Sequence, residues 1–107
     1  MKDLPPSQRS KTRYVKFKIH SETYFELGDV VNTIWENATD YMGVEGVSKS
    51  DMWIMGNEYE SGEGCGVVRV KKSVLDSFIS SLLFVDEIND KSCFIEVLSV
   101  SGSLKKL

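Results

Sequence analysis

The clearest signal along the chain is a change of period. From Tyr14 to His20, Val15, Phe17 and Ile19 alternate with Tyr14, Lys16, Lys18 and His20. This two-residue repeat predicts a strand with one buried face and one basic, watered face. Farther on, Leu27, Val30, Val31, Ile34, Trp35, Ala38, Tyr41 and Met42 recur at steps of three and four. That spacing predicts a helix of about four turns with an apolar stripe, and Gly43 marks its expected stop. After VEGVSKS, read as a loop, the apolar run 52–55 and the segment CGVVRV flank a glycine-rich ESGEG, the pattern of a β-hairpin. Leu75, Phe78, Ile79, Leu82 and Leu83 share one face of a second helix. Asn89 and Asp90 then turn the chain into a last strand spanning roughly 92–100.

The order β-α-β-β-α-β is that of the ferredoxin-like and RNA-recognition-like α/β (α+β sandwich) folds. Right-handed crossovers put both helices on one face of a four-stranded antiparallel sheet, with the first and third strands in the middle. Lys16, Lys18, Arg69 and Lys71 then point outward from the central strands. Trp35 and Trp53 are expected in the core or at a protein interface, with the core favoured. Ahead of the sheet, Pro5 and Pro6 disfavour a helix, so residues 1–13 read as a polar arm and 14–107 as a single domain.

Charge sharpens this picture, because its distribution matters more than its total of -3. Lys2, Arg9, Lys11, Arg13, Lys16 and Lys18 face only Asp3 in the first eighteen residues, whereas 19–69 hold Lys49 and Arg69 against ten carboxylates. A basic end beside an acidic middle points to a polyanion at one surface and a protein at another. The opening residues have no apolar export segment, and the apolar stretch FISSLLFV at 78–85 is far short of a bilayer span. A cytoplasmic protein without membrane contact is the expectation.

The residues offer little for catalysis. His20 is the only histidine, and with Cys65 and Cys93 it gives no zinc spacing; both thiols are expected to be buried. Glu58, Glu60 and Glu63 cluster near the hairpin, where solvated carboxylates are common. SGEGCG at 61–66 lacks the lysine and the following helix of a phosphate-binding loop, so its glycines read as turn residues. Asn37-Ala38-Thr39 matches a glycosylation acceptor only in form, since it falls on a helix. RNA-recognition modules stack bases on aromatics of the two central strands, yet here Tyr14 is the one outward ring on them. Phosphate contact by lysine and arginine is what remains.

Two end motifs carry a resemblance. LPPSQRSKTRYVKFKI at 4–19 resembles the LPP-x-x-R-x-K-x-RY-x-x-F opening of the archaeal and eukaryotic ribonuclease P protein component 2 family. VLSVSGSLKKL at 97–107 resembles that family's L-G-V-SG-T-I-R-R ending, and IWE at 34–36 and GVVRV at 66–70 also fit. Ser99 stands where glycine is common, and Ser103, Leu104, Lys105 and Lys106 stand where threonine, isoleucine and arginines are usual. A lysine there supplies a point charge in place of a forked guanidinium.

The resemblance implies a non-catalytic protein subunit of the ribonucleoprotein that removes the 5′ leader of precursor tRNA. In that enzyme the RNA subunit performs the cleavage with Mg²⁺, so no catalytic residue, metal ligand or bound cofactor is expected in this chain. It implies the RNA subunit and protein component 3 as partners, as a heterodimer that associates further into a heterotetramer, and precursor tRNA as an indirect one. Arg9, Lys11 and Arg13 are the first candidates for RNA contact, followed by Lys16, Lys18, Arg69, Lys71, Lys105 and Lys106. The competing expectation is a protein-docking scaffold that touches RNA only incidentally.

Overall fold

The computed structural model describes residues 12–107, so Arg9 and Lys11 lie outside the described residues. The chain runs β1 (Thr12–His20), α1 (Leu27–Ser50), β2 (Trp53–Ile54), β3 (Cys65–Lys71), α2 (Leu75–Leu83), a small hairpin β4 (Glu87–Ile88) and β5 (Lys91–Ser92), and β6 (Phe94–Ser101). The main sheet has the order β2-β3-β1-β6 and every pairing in it is antiparallel. This is the expected α+β arrangement, with β1 and β3 central. The first strand opens at Thr12, two residues before the alternation becomes visible in the sequence.

Burial follows the alternation. Val15, Phe17 and Ile19 of β1 pack with Val68 and Val70 of β3, with Val30, Ile34 and Ala38 of α1, and with Phe78 and Leu82 of α2. Glycine is required where two of these groups meet most closely. Gly66 lies opposite Phe17 on the helix side of the sheet, and a Cβ there would come within 2.7 Å of the Phe17 ring. Next to it, the Tyr59 hydroxyl donates to the Phe25 carbonyl at 2.6 Å and ties the β2–β3 connection to the start of α1.

Several expectations need correction. Gly43 does interrupt the helix, with φ of 79° and ψ of 164°, but the chain resumes helical geometry and continues to Ser50. VEGVSKS is therefore helical, anchored by buried Val47. Buried Ser50 ends it by donating to the Val47 carbonyl at 2.6 Å while accepting the Met52 N–H at 3.1 Å, and Asp51 turns the chain out with φ of 50°. Leu83, placed on the apolar face of the second helix, is exposed, and Ser81 is buried in its stead. Cys65 and Cys93 are half-buried free thiols. Burial first, and then Asp86 and Glu87, push the Cys93 thiol above its ordinary range. The last strand starts at Phe94 because Asn89 and Asp90, both at positive φ, close the separate β4–β5 hairpin.

Candidate nucleic-acid interface

The strand register assembles the side of the sheet that carries no helix. Trp53, Arg69, Tyr14 and Ser101 stand opposite one another across β2, β3, β1 and β6. Lys71 lies opposite Thr12 at one end of this row. On its other side, Val67, Lys16 and Ser99 form a second row, and Cys65, Lys18 and Glu96 a third. His20 and Phe94 close the face at its far end. The sheet thus brings together four of the sequence-predicted residues, Lys16, Lys18, Arg69 and Lys71, as the alternation of β1 and β3 predicts.

Charge is graded along these strands. At the end where the chain enters β1, Arg69 and Lys71 are exposed, and Lys71 Nζ is 3.4 Å from Asp51 Oδ2. At the opposite end His20 Nε2 pairs with Glu96 Oε1 at 2.8 Å, and the His20 ring stacks on Phe94 with centroids 4.6 Å apart. Glu58, Glu60 and Glu63 border a cleft of about 340 Å³ that also includes Lys16, Val67, Leu104 and Leu107. Val67 is only 4% exposed although no helix covers its side of the sheet. Leu104 and Leu107 of the C-terminal turn line the same cleft as Val67 and Lys16, and Lys105 and Lys106 of that turn are exposed.

Arg13 belongs elsewhere. Alternation puts it on the side of Val15, opposite Val70, and its Nη1 donates to the Thr12 carbonyl at 2.9 Å. Its guanidinium also lies over Gly102, where a Cβ would approach Nη1 to 3.3 Å. It is a half-buried group engaged with its own chain, in contrast to the open-arm residue expected.

Neither tryptophan takes the favoured core position. Trp35 is 38% exposed on α1, and Trp53 is 60% exposed on the helix-free face. Phe94 is exposed on the same face, so Tyr14 is accompanied by rings on both edge strands. Sequence reasoning missed Trp53 because MWIM is apolar at every position and has no period to read. A signal did exist in its partner: Ile54 pairs with buried Val68, which forces Trp53 to the other side. On the helical side Tyr41 and Phe84 meet with centroids 5.6 Å apart, and Leu83 and Val44, near them in the chain, are also exposed.

Among the described residues no group of three or more histidine, cysteine or carboxylate side chains could hold a metal ion. No helix among them is long and apolar enough to cross a membrane.

A model of the Rpp14/Pop5 family matches residues 13–107. The chain belongs to this family. Its Rpp14/Pop5 relatives include ribonuclease P protein component 2 of Methanococcus vannielii, 36% identical over 107 residues that cover 100% of this chain and 79% of that protein. The protein of the same name from Pyrococcus furiosus is 33% identical over 106 residues, covering 99% of this chain and 87% of its own length. A chain in the cryo-EM structure of yeast ribonuclease MRP matches with a TM-score of 0.68, over 89% of this chain and 76% of that one. Its identity is 17%, so that likeness establishes a shared fold. Both ends of the chain on which the family resemblance rests fall within the relatives' matched length.

Proposed function

We infer that this chain is a non-catalytic protein subunit of ribonuclease P that binds and stabilises the RNA subunit through the helix-free face of its sheet. The observation that carries the reading is the concurrence of end-to-end similarity to ribonuclease P protein component 2 with a sheet face that gathers Lys16, Lys18, Arg69 and Lys71. Cations fixed on strands at spacings of a few ångströms follow a phosphate backbone without reading bases. They would neutralise phosphates that otherwise repel one another in the folded RNA. Arg9 and Lys11, outside the described residues, are further cations that this reading assigns to RNA contact. Mg²⁺ in this reading serves the RNA subunit, which performs the hydrolysis.

A protein partner fits the opposite side. Tyr41 and Phe84 meet as exposed rings with exposed Leu83 next to Phe84 in the chain, and Tyr41 lies in the carboxylate-rich segment 19–69. Component 3 is the partner this reading assigns to that side, with the pair associating into a heterotetramer.

Reconstitution tests the assignment. The cognate RNA subunit, component 3 and precursor tRNA are assayed for 5′ leader removal with and without this chain at limiting Mg²⁺. Cleavage that rises on its addition, with the purified chain alone inactive, is the expected result. Cleavage indifferent to the chain, together with a stable protein pair that has no affinity for RNA, would favour the scaffold reading.

A further inference from the structure

The helix-free face carries more than charge. Trp53, Arg69 and Tyr14 stand in one row on three adjacent strands, a planar guanidinium between two rings, with neighbouring strands about 4.8 Å apart. Trp53 and Tyr14 thus leave the sheet from backbone positions about 10 Å apart. Trp53 is 60% exposed, a large apolar area to leave in water on a side chain whose strand neighbour Ile54 is buried. A depression of about 260 Å³ adjoins the row, lined by Tyr14, Arg69, Lys71 and Asp51 among others. The face is cationic at this end, with Asp51 the carboxylate beside it and already paired to Lys71.

We propose that Trp53, Arg69 and Tyr14 form a stacking platform for unpaired nucleotides, so that this face grips a single-stranded or bulged segment of RNA as well as phosphates. The proposal rests on the RNA-binding reading above and narrows its ligand. Phosphate contact alone needs lysine and arginine and gives no use for an exposed indole. Rings and a guanidinium plane offer flat surfaces on which any base can stack, and stacking of this kind tolerates sequence. An A-form duplex hides its base faces inside the helix and cannot use them. An apolar protein surface would cover Trp53 equally well, but it would bury Arg69 and Lys71 against their charge, whereas RNA supplies the counter-charge between successive bases.

The test uses the full chain carrying Trp35→Phe, which leaves Trp53 as the single tryptophan. Its fluorescence is followed as an unstructured oligoribonucleotide or a duplex of equal phosphate count is added, and affinities are measured for this protein and for a Trp53→Leu variant across a salt series. The expected result is quenching by the single strand and little by the duplex. Trp53→Leu should weaken single-strand binding by about five- to a hundredfold, the cost of one lost stacked base. Its salt slope should stay unchanged, because no charge is removed. Because the indole is exposed, folding of the variant is checked by its thermal melt, and the quenching measurement stands independently of it.

Salt-dependent binding to both RNAs without quenching, or an equal loss of affinity for both in Trp53→Leu, overturns the platform and leaves the RNA-binding reading standing. Absence of binding to either RNA also overturns the platform, while the RNA-binding reading is decided separately by the cognate RNA subunit. A blue shift of Trp53 emission on adding component 3, with no response to RNA, assigns the face to protein and likewise overturns the proposal.

Discussion

At the scale of single residues, two hydroxyls set opposite expectations. Tyr59 donates to the Phe25 carbonyl at 2.6 Å and joins two otherwise separate loops. Replacing it by phenylalanine should cost about 1 kcal/mol, read from chemical denaturation. Burial raises the Tyr59 phenol above its usual range. An acid whose folded pKa exceeds its unfolded one contributes stability that is intact below the unfolded value, about 10, and is lost as pH rises through the folded value. The Tyr59→Phe variant should therefore lose less stability than the parent between pH 9 and 11. Ser99 is the opposite case. Its Oγ is buried with no hydrogen-bond partner among the described residues, next to the irregularity in the β1–β6 pairing between Lys16 and Phe17. An unsatisfied buried hydroxyl costs about 1–3 kcal/mol, so Ser99→Ala should be neutral or raise the denaturation midpoint. A fall of the midpoint would indicate a partner for that hydroxyl.

At the scale of elements, the closest approach in the sheet is Phe17 over Gly66. Gly66→Ala forces the ring or the strand to move in a packed core, and should destabilise the fold by about 1–3 kcal/mol in an equilibrium melt. The elements most legible in the sequence are those whose two faces differ most. β1 alternates cleanly between valine, phenylalanine or isoleucine and lysine, so its burial and the outward direction of Lys16 and Lys18 could be read directly. The second segment of α1 could not. Gly43, Gly46 and two serines argue against a helix locally, and it forms because Val47 packs into the core and Ser50 satisfies the backbone at its end. Trp53 was illegible for a different reason: a two-residue strand within an apolar run takes its direction from its neighbour's register, which no local pattern contains. The β4–β5 hairpin has no legible pattern of its own, because its strands are two residues each and Asn89 and Asp90 read as a turn leading straight into the last strand.

At the scale of the whole molecule, function follows from where the fold places its charges and exposed rings. Cations collect on the helix-free face together with exposed Trp53 and Phe94, other exposed apolar side chains lie on the helices, and most carboxylates fall within residues 19–69. The net charge of -3 conceals this division. An overall acidic chain can therefore bind a polyanion, because a Debye length of about 8 Å at physiological salt is shorter than the distance between its two sides. The most direct test is the salt dependence of binding to the cognate RNA subunit, measured for the parent, for a Lys16→Gln, Lys18→Gln, Arg69→Gln variant, and for a Lys49→Gln control on helix α1, where Lys49 pairs with Glu45. The account predicts a log–log slope shallower by about two to three units in the first variant and close to the parent in the control. Equal slopes in the parent and the Lys16/Lys18/Arg69 variant would contradict it and remove the helix-free face from the RNA interface.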